Sequence, residues 1–256
     1  MKQTTLIKSA VLAGSALLAG FASAGDDPVP AAPSSDLEVN IGVGYTSEYI
    51  FRSINFADDL FTAGIGVSGS GSLLGIGDLN ISAGLELLTG SISNPSVGDT
   101  ATAGGGSAGA HEMRINMEAS KSLGSFDLAV GVTNYSYFGA AAANPDVLEP
   151  YVRLSTELAG LDVGIAVHDQ DWFPTLDNYI EITAGRSVDL GGLDLCVHGV
   201  IGTWNEFDDT YYGVTVGLPI SASDNITVTP HASAILGDTF FGDDEFTVGV
   251  NIGFGL

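Results

Sequence analysis

Eight charged side chains recur at alternate positions within runs that are otherwise apolar: Glu48, Glu86, Glu112, Arg114, Glu118, Arg153, Glu157 and Glu181. Carboxylates and guanidiniums in such runs can form ion pairs, which a charge withdrawn from water requires. They can also line a wet passage and sort ions by sign. Covalent chemistry is not what they suggest. No His-Glu-x-x-His motif occurs, the neighbours of His111 offer no triad partner, and His168, His198 and His231 fall on alternate strands. The chain is therefore read as a non-enzyme, with no catalytic, cofactor-binding or metal-ligating residue assigned.

Such residues share a face only if the backbone is extended, because strand side chains alternate with a period of two. That alternation recurs from Leu37 to the C-terminus, with turns between runs and no 3.6-residue stripe. It predicts twelve strands, at about 37–51, 59–69, 78–89, 111–122, 125–138, 148–159, 161–169, 178–188, 193–204, 210–218, 224–235 and 244–256. In the fourth, His111, Met113, Ile115 and Met117 oppose Glu112, Arg114, Asn116 and Glu118. In the last, Phe246, Val248, Val250, Ile252, Phe254 and Leu256 oppose Glu245, Thr247, Gly249, Asn251, Gly253 and Gly255.

Charge thus keeps to one parity and apolar bulk to the other. A soluble sandwich puts its polar residues on the outward face; a transmembrane barrel puts them inside. Strands this long can cross a bilayer at a tilt, and their number is even. The expected fold is an all-β, up-and-down antiparallel transmembrane barrel of about twelve strands. Arg186 shares the apolar parity but lies near a strand end, where a long side chain can snorkel. Pro230 also falls on an apolar parity inside a strand, which predicts a bulge there.

The connections sort by parity as well. One set is mostly tight (Leu123-Gly124, Ala159-Gly160, Asp189 to Gly192, Pro219 to Ser223); the other is generally longer and more acidic, as in 90–110 and 139–147. Short turns on one side and long loops on the other are the barrel pattern, with the long loops extracellular. Aromatic residues gather at strand ends. Tyr45, Tyr49, Phe61, Tyr135, Tyr137, Trp172, Tyr179, Trp204 and Tyr211 are among those expected in an outer interfacial girdle; Phe126, Tyr151 and Phe254 mark the opposite rim.

The ends agree with an exported protein. Lys2 and Lys8, an apolar run from Ala10 to Phe21 and Ala22-Ser23-Ala24 read as a signal peptide over 1–24, followed by a disordered periplasmic leader over 25–36 and the barrel over 37–256. Removing 1–24 takes two of the 7 basic residues and none of the 31 acidic ones, so the formal charge moves from −24 to −26. Nucleic acid is excluded as a partner, since phosphate binding needs Lys and Arg. Acidity combined with a mean hydropathy of +0.30 points to charge segregated from the apolar surface. The single cysteine, Cys196, has luminal parity and permits no intrachain disulfide.

The first hairpin carries a resemblance. Ser47-Glu48-Tyr49-Ile50-Phe51-Arg52-Ser53-Ile54 is similar to the opening of the TorF-type porin family, in which Ser, an acidic residue and Tyr are followed, two residues on, by Arg-Gly-Ile. Ser47, Glu48, Tyr49, Arg52 and Ile54 match, and Ser53 stands in the place of the glycine. The resemblance implies an outer-membrane channel without an assigned substrate, whose C-terminal strand is read by the barrel-insertion machinery.

The resulting expectation is a diffusion channel for small hydrophilic solutes, favouring cations because its mouth is acidic. Its other partners would be outer-membrane lipid and lipopolysaccharide. Arg114 and Arg153 are expected to pair with facing glutamates across the lumen, either as a structural plug or as a selectivity constriction. The acidic loop clusters, such as Asp58-Asp59 and Asp243-Asp244-Glu245, have oxygen ligands suited to Ca²⁺ or Mg²⁺ but not the spacing of a regular calcium loop. The alternative is a closed structural or adhesion barrel without transport.

Overall fold

Alternating sequence has become strand almost throughout. The computed structural model describes residues 37–52, 54–71, 79–91, 109–139, 146–169, 178–204, 209–237 and 244–256. These form β1 (Glu38–Phe51), β2 (Ile54–Gly71), β3 (Leu79–Ser91), β4 (Gly109–Leu123), β5 (Phe126–Gly139), β6 (Val147–Leu158) and β7 (Leu161–His168). The second half contributes β8 (Tyr179–Asp189), β9 (Asp194–Trp204), β10 (Asp209–Gly217), β11 (Ile220–Ser223), β12 (Ile226–Gly237) and β13 (Glu245–Gly255). Neighbours in sequence pair antiparallel, β1 pairs with β13, and β10 pairs with β12, so the sheet closes on itself. Closure leaves no free edge.

Thirteen elements make a ring of twelve because β11 prolongs β10. Gly217 lies opposite His231 and Ile220 opposite Val228, in one continuous register along the same edge of β12. Pro219, which lacks an N–H, interrupts the ladder between them. The strand expected to stop at 218 therefore continues, and the turn lies at Asp224-Asn225 rather than at Pro219 to Ser223. The bulge expected at Pro230 is also absent. Its pairing with Val250 runs through without a register shift. On its other side Pro230 only has to accept, from the Leu218 N–H at 3.0 Å, and the missing donor falls beside the break at Pro219.

The two faces differ as the alternation requires. Ala129, Arg153 and Thr247 are buried, whereas their neighbours Val130, Val152 and Val248 are about half exposed on the outer surface. Such an apolar belt is stable only against hydrocarbon. Tight turns close the short end; at Ala159-Gly160 both central residues have positive φ (53° and 77°), the conformation of a two-residue hairpin turn.

One hairpin leaves the wall. β1 pairs with β13 only as far as Thr46, opposite Gly249, and β2 pairs with β3 only from Asp58, opposite Ser91. Between these points β1 and β2 pair with each other alone, with a register shift at Tyr49/Ile50. The Ser47 hydroxyl accepts the Val248 N–H (3.1 Å) where the arm departs. Beyond it Tyr49, Ile50 and Arg52 are all buried. Their partners lie on distant strands: Tyr49 bonds to Glu112 of β4, Arg52 to Glu149 of β6, and Ile50 packs against residues of β9, β10 and β12. The arm has turned into the lumen.

Candidate functional site

The lumen holds three linked charge groups, and the arm supplies the first. Arg52, in the left-handed region at φ 51°, ends β1. Its Nη1 and Nη2 each donate to a Glu149 carboxylate oxygen at 2.7 Å. Such a parallel two-bond fork is the strong form of an arginine–carboxylate contact. Glu149 Oε1 is also 2.9 Å from His168 Nδ1 and accepts from the Tyr135 hydroxyl at 3.4 Å. The guanidinium lies 4.1 Å from the ring centre of Tyr179 and 4.7 Å from that of Phe51, within range for cation–π attraction. Tyr179 donates to Glu181 at 2.5 Å and shares a hydrogen bond with Tyr211 at 2.6 Å. Beside this group Ile50 packs among Val200, Trp204, Tyr211 and Ile235.

The second group is centred on Arg114 of β4. Its Nε donates to Glu112 at 2.5 Å and Nη1 lies 3.9 Å from Glu86 on β3. Nη2 donates to the Tyr49 hydroxyl, which itself donates to Glu112 at 3.0 Å. Tyr49 thus ties the arm to β4. Ala57, Leu60 and Leu88 seal the arm's root with Tyr49. The third group sits apart from the arm: Arg153 Nη2 donates to Glu118 at 2.7 Å, and Tyr151 donates to the same carboxylate at 2.9 Å.

Close approach at two glycines makes room for the rings. A Cβ on Gly131 would meet the Tyr151 ring well inside contact distance, and one on Gly202 would meet the ring of Tyr211 and the hydroxyl of Tyr179. Glycine is the residue that lets a neighbouring group approach the backbone so nearly.

Of the eight site residues read from the sequence, Glu86, Glu112, Arg114, Glu118 and Arg153 lie together along β3, β4 and β6, and Glu181 belongs to the arm-tip group. Glu48 is half-buried in the arm opposite Asp58. Glu157 is exposed near the short-turn rim, opposite Asp162. Arg114 and Arg153 do carry glutamate partners, but on their own or nearby strands, so they do not cross the lumen. Arg52 and Tyr49 do that instead.

Sequence reasoning passed over Glu149, although it shares parity with Arg153 four residues on. It also placed Tyr49, Tyr135, Tyr151, Tyr179, Trp204 and Tyr211 in the interfacial rings. Tyr49, Tyr135, Tyr179, Trp204 and Tyr211 are buried, and Tyr151 turns inward onto Glu118. The outward girdle consists of residues such as Phe61, Phe138, Tyr212 and Phe246, all exposed, and Tyr45, which donates to Asp59 at 2.7 Å. Trp172, Phe173, Phe207, Phe240, Phe241 and much of the acidic loop sequence lie outside the described residues, as do the first four positions of Gly105 to Gly109, the one Gly-x-Ser-x-Gly arrangement in the chain. Among the described residues no three His, Cys, Asp or Glu are grouped to hold a metal ion.

No protein-family model matches the chain, and no curated protein matches it. Solved structures do. An outer membrane channel from Pseudomonas putida F1 is similar with a TM-score of 0.56 and 12% identity, over 91% of this chain and 98% of that one. The NanC porin is similar at 0.49 and 12%, over 85% of this chain and 100% of that one. The KdgM porin follows at 0.49 and 10%, over 83% and 97%. The likeness is one of architecture: the chain has the closed antiparallel barrel fold of an outer membrane channel.

Proposed function

We propose that the chain is an outer-membrane porin of the TorF type, a passive channel for small hydrophilic solutes that favours cations. The observation that carries this reading is the sorting of charge. Glu86, Glu112, Glu118, Glu149 and Glu181 face the lumen against Arg52, Arg114 and Arg153, while the outer surface is apolar. Acidic excess in a low-dielectric enclosure attracts cations and repels anions. On this reading residues 1–24 direct export, 25–36 form a periplasmic leader, and the last strand is recognised by the insertion machinery of the outer membrane. Lipid and lipopolysaccharide surround the belt.

A second reading, a closed structural or adhesion barrel, is favoured by the arm that fills part of the lumen. Electrical recording separates the two. The mature protein in a planar bilayer under a potassium chloride gradient should pass current with a reversal potential of the cation-selective sign. An anion-selective sign would contradict the preference. Absence of current from both the native protein and a variant lacking the arm would leave the closed barrel.

A further inference from the structure

We propose that the β1–β2 arm is a gate, latched to the far side of the barrel by the Arg52–Glu149 pair, and that releasing this pair opens the lumen. The proposal rests on the channel reading and adds its regulation.

Geometry makes the pair a strut rather than a wall contact. Twelve strands about 4.8 Å apart, tilted by about 40°, enclose a backbone diameter of roughly 24 Å. β1 and β6 are separated in the ring by β2, β3, β4 and β5, so they stand nearly opposite. Two side chains cannot bridge that span from the wall. The backbone of the arm covers the remainder, and Tyr49 and Ile50 then reach β4 and the β9–β12 side. Contacts on so many sides obstruct a solute at that level.

The arm can move without dismantling the barrel. Its backbone pairs only with itself, and the β1–β13 and β2–β3 ladders are already formed below it. Both strands are irregular at its root: the register shifts at Tyr49/Ile50 and between Asp58 and Phe61, and Asp59 has φ 51°. What holds the arm is side-chain contact: the two-bond Arg52–Glu149 fork at the tip, and the bonds of Tyr49 to Glu112 and Arg114 nearer the root. Removing one partner leaves the other charge buried and uncompensated, which favours a state in which water reaches it.

The test uses charge reversal in the full mature protein. Arg52→Glu and Glu149→Arg should each raise time-averaged conductance by at least about tenfold, the scale set by breaking a buried pair. The double reversal should return conductance to the native level. A second readout does not need current. Ile50→Cys with Ile235→Cys, in a Cys196→Ser background, places thiols on two members of one apolar cluster. Oxidation should crosslink them, and either single reversal should slow the crosslink by about tenfold, restored in the double. Conductance and crosslinking unchanged by the single reversals would overturn the latch. Slower crosslinking with no current from any form would leave the latch standing and overturn the channel reading.

Discussion

Arg52 and Glu149 are joined by two 2.7 Å bonds across the interior of the barrel, from strands that are not neighbours in the sheet. Both side chains are almost fully buried, at 4% and 1% exposure. The pair therefore belongs with interior ion pairs, whose loss is costly, and not with surface bridges worth little.

Arg52→Ala and Glu149→Ala are each expected to destabilise the folded barrel by about 3–5 kcal/mol, since each strands a buried charge. Arg52→Met combined with Glu149→Leu should cost much less than the sum, because no charge remains unpaired. Urea unfolding in lipid vesicles measures all three. Strict additivity would show that the two residues do not act as a pair.

The outer belt predicts a depth-dependent penalty. Ile165 lies on the outward face within β7, and Leu158 lies at the end of β6; both are exposed. Ile165→Arg should cost about 2–4 kcal/mol and Leu158→Arg about 0–1 kcal/mol in a bilayer. Equal costs in the same unfolding assay would contradict a membrane-facing surface.

At Gly202 any side chain meets the ring of Tyr211 and the hydroxyl of Tyr179. Gly202→Val should destabilise by about 1–3 kcal/mol through overpacking, and it should disturb the hydrogen bond between those tyrosines. Gly253, where an added Cβ meets nothing within 4 Å, is the internal control. Similar stability losses at both positions would count against the packing described at Gly202.

Ser47 holds the Val248 N–H at the root of the arm. Ser47→Ala should cost about 1 kcal/mol and speed hydrogen exchange at Val248 by about fivefold, the factor one kcal/mol implies. Unchanged exchange there would mean that another group satisfies this donor.

Most of the wall was legible because each strand obeys a period of two and charge on the lipid side is penalised. His111 to Glu118 shows the rule directly: its even members lie in the lumen and its odd members outside. Two exceptions came from proline. Pro219 reads as a turn, yet the strand resumes after it because pairing with β12 continues in the same alignment. Pro230 reads as a bulge, yet its missing donor falls where the ladder is already broken.

The arm was not legible, since its departure depends on where pairing to β13 and β3 stops. By alternation from Tyr45, Tyr49 belongs outside. Nothing in Ser47 to Phe51 encodes the register shift that turns it in. Aromatic rings at strand ends are equally suited to a membrane interface and to a luminal cluster, so Tyr179 and Tyr211 could not be assigned by type. Glu149 obeyed the parity that identified Arg153; its partner became recognisable only once Arg52 was seen to cross the lumen.

The most direct test of the account is the single-channel record of the mature protein beside a variant in which residues 49–57 are replaced by an Asn-Gly turn, a pair that suits a two-residue hairpin. With matching circular dichroism for both proteins, the account predicts small or brief openings from the native barrel and large, sustained, cation-selective openings from the shortened one. Indistinguishable conductance in the two would contradict a lumen obstructed by its own first hairpin.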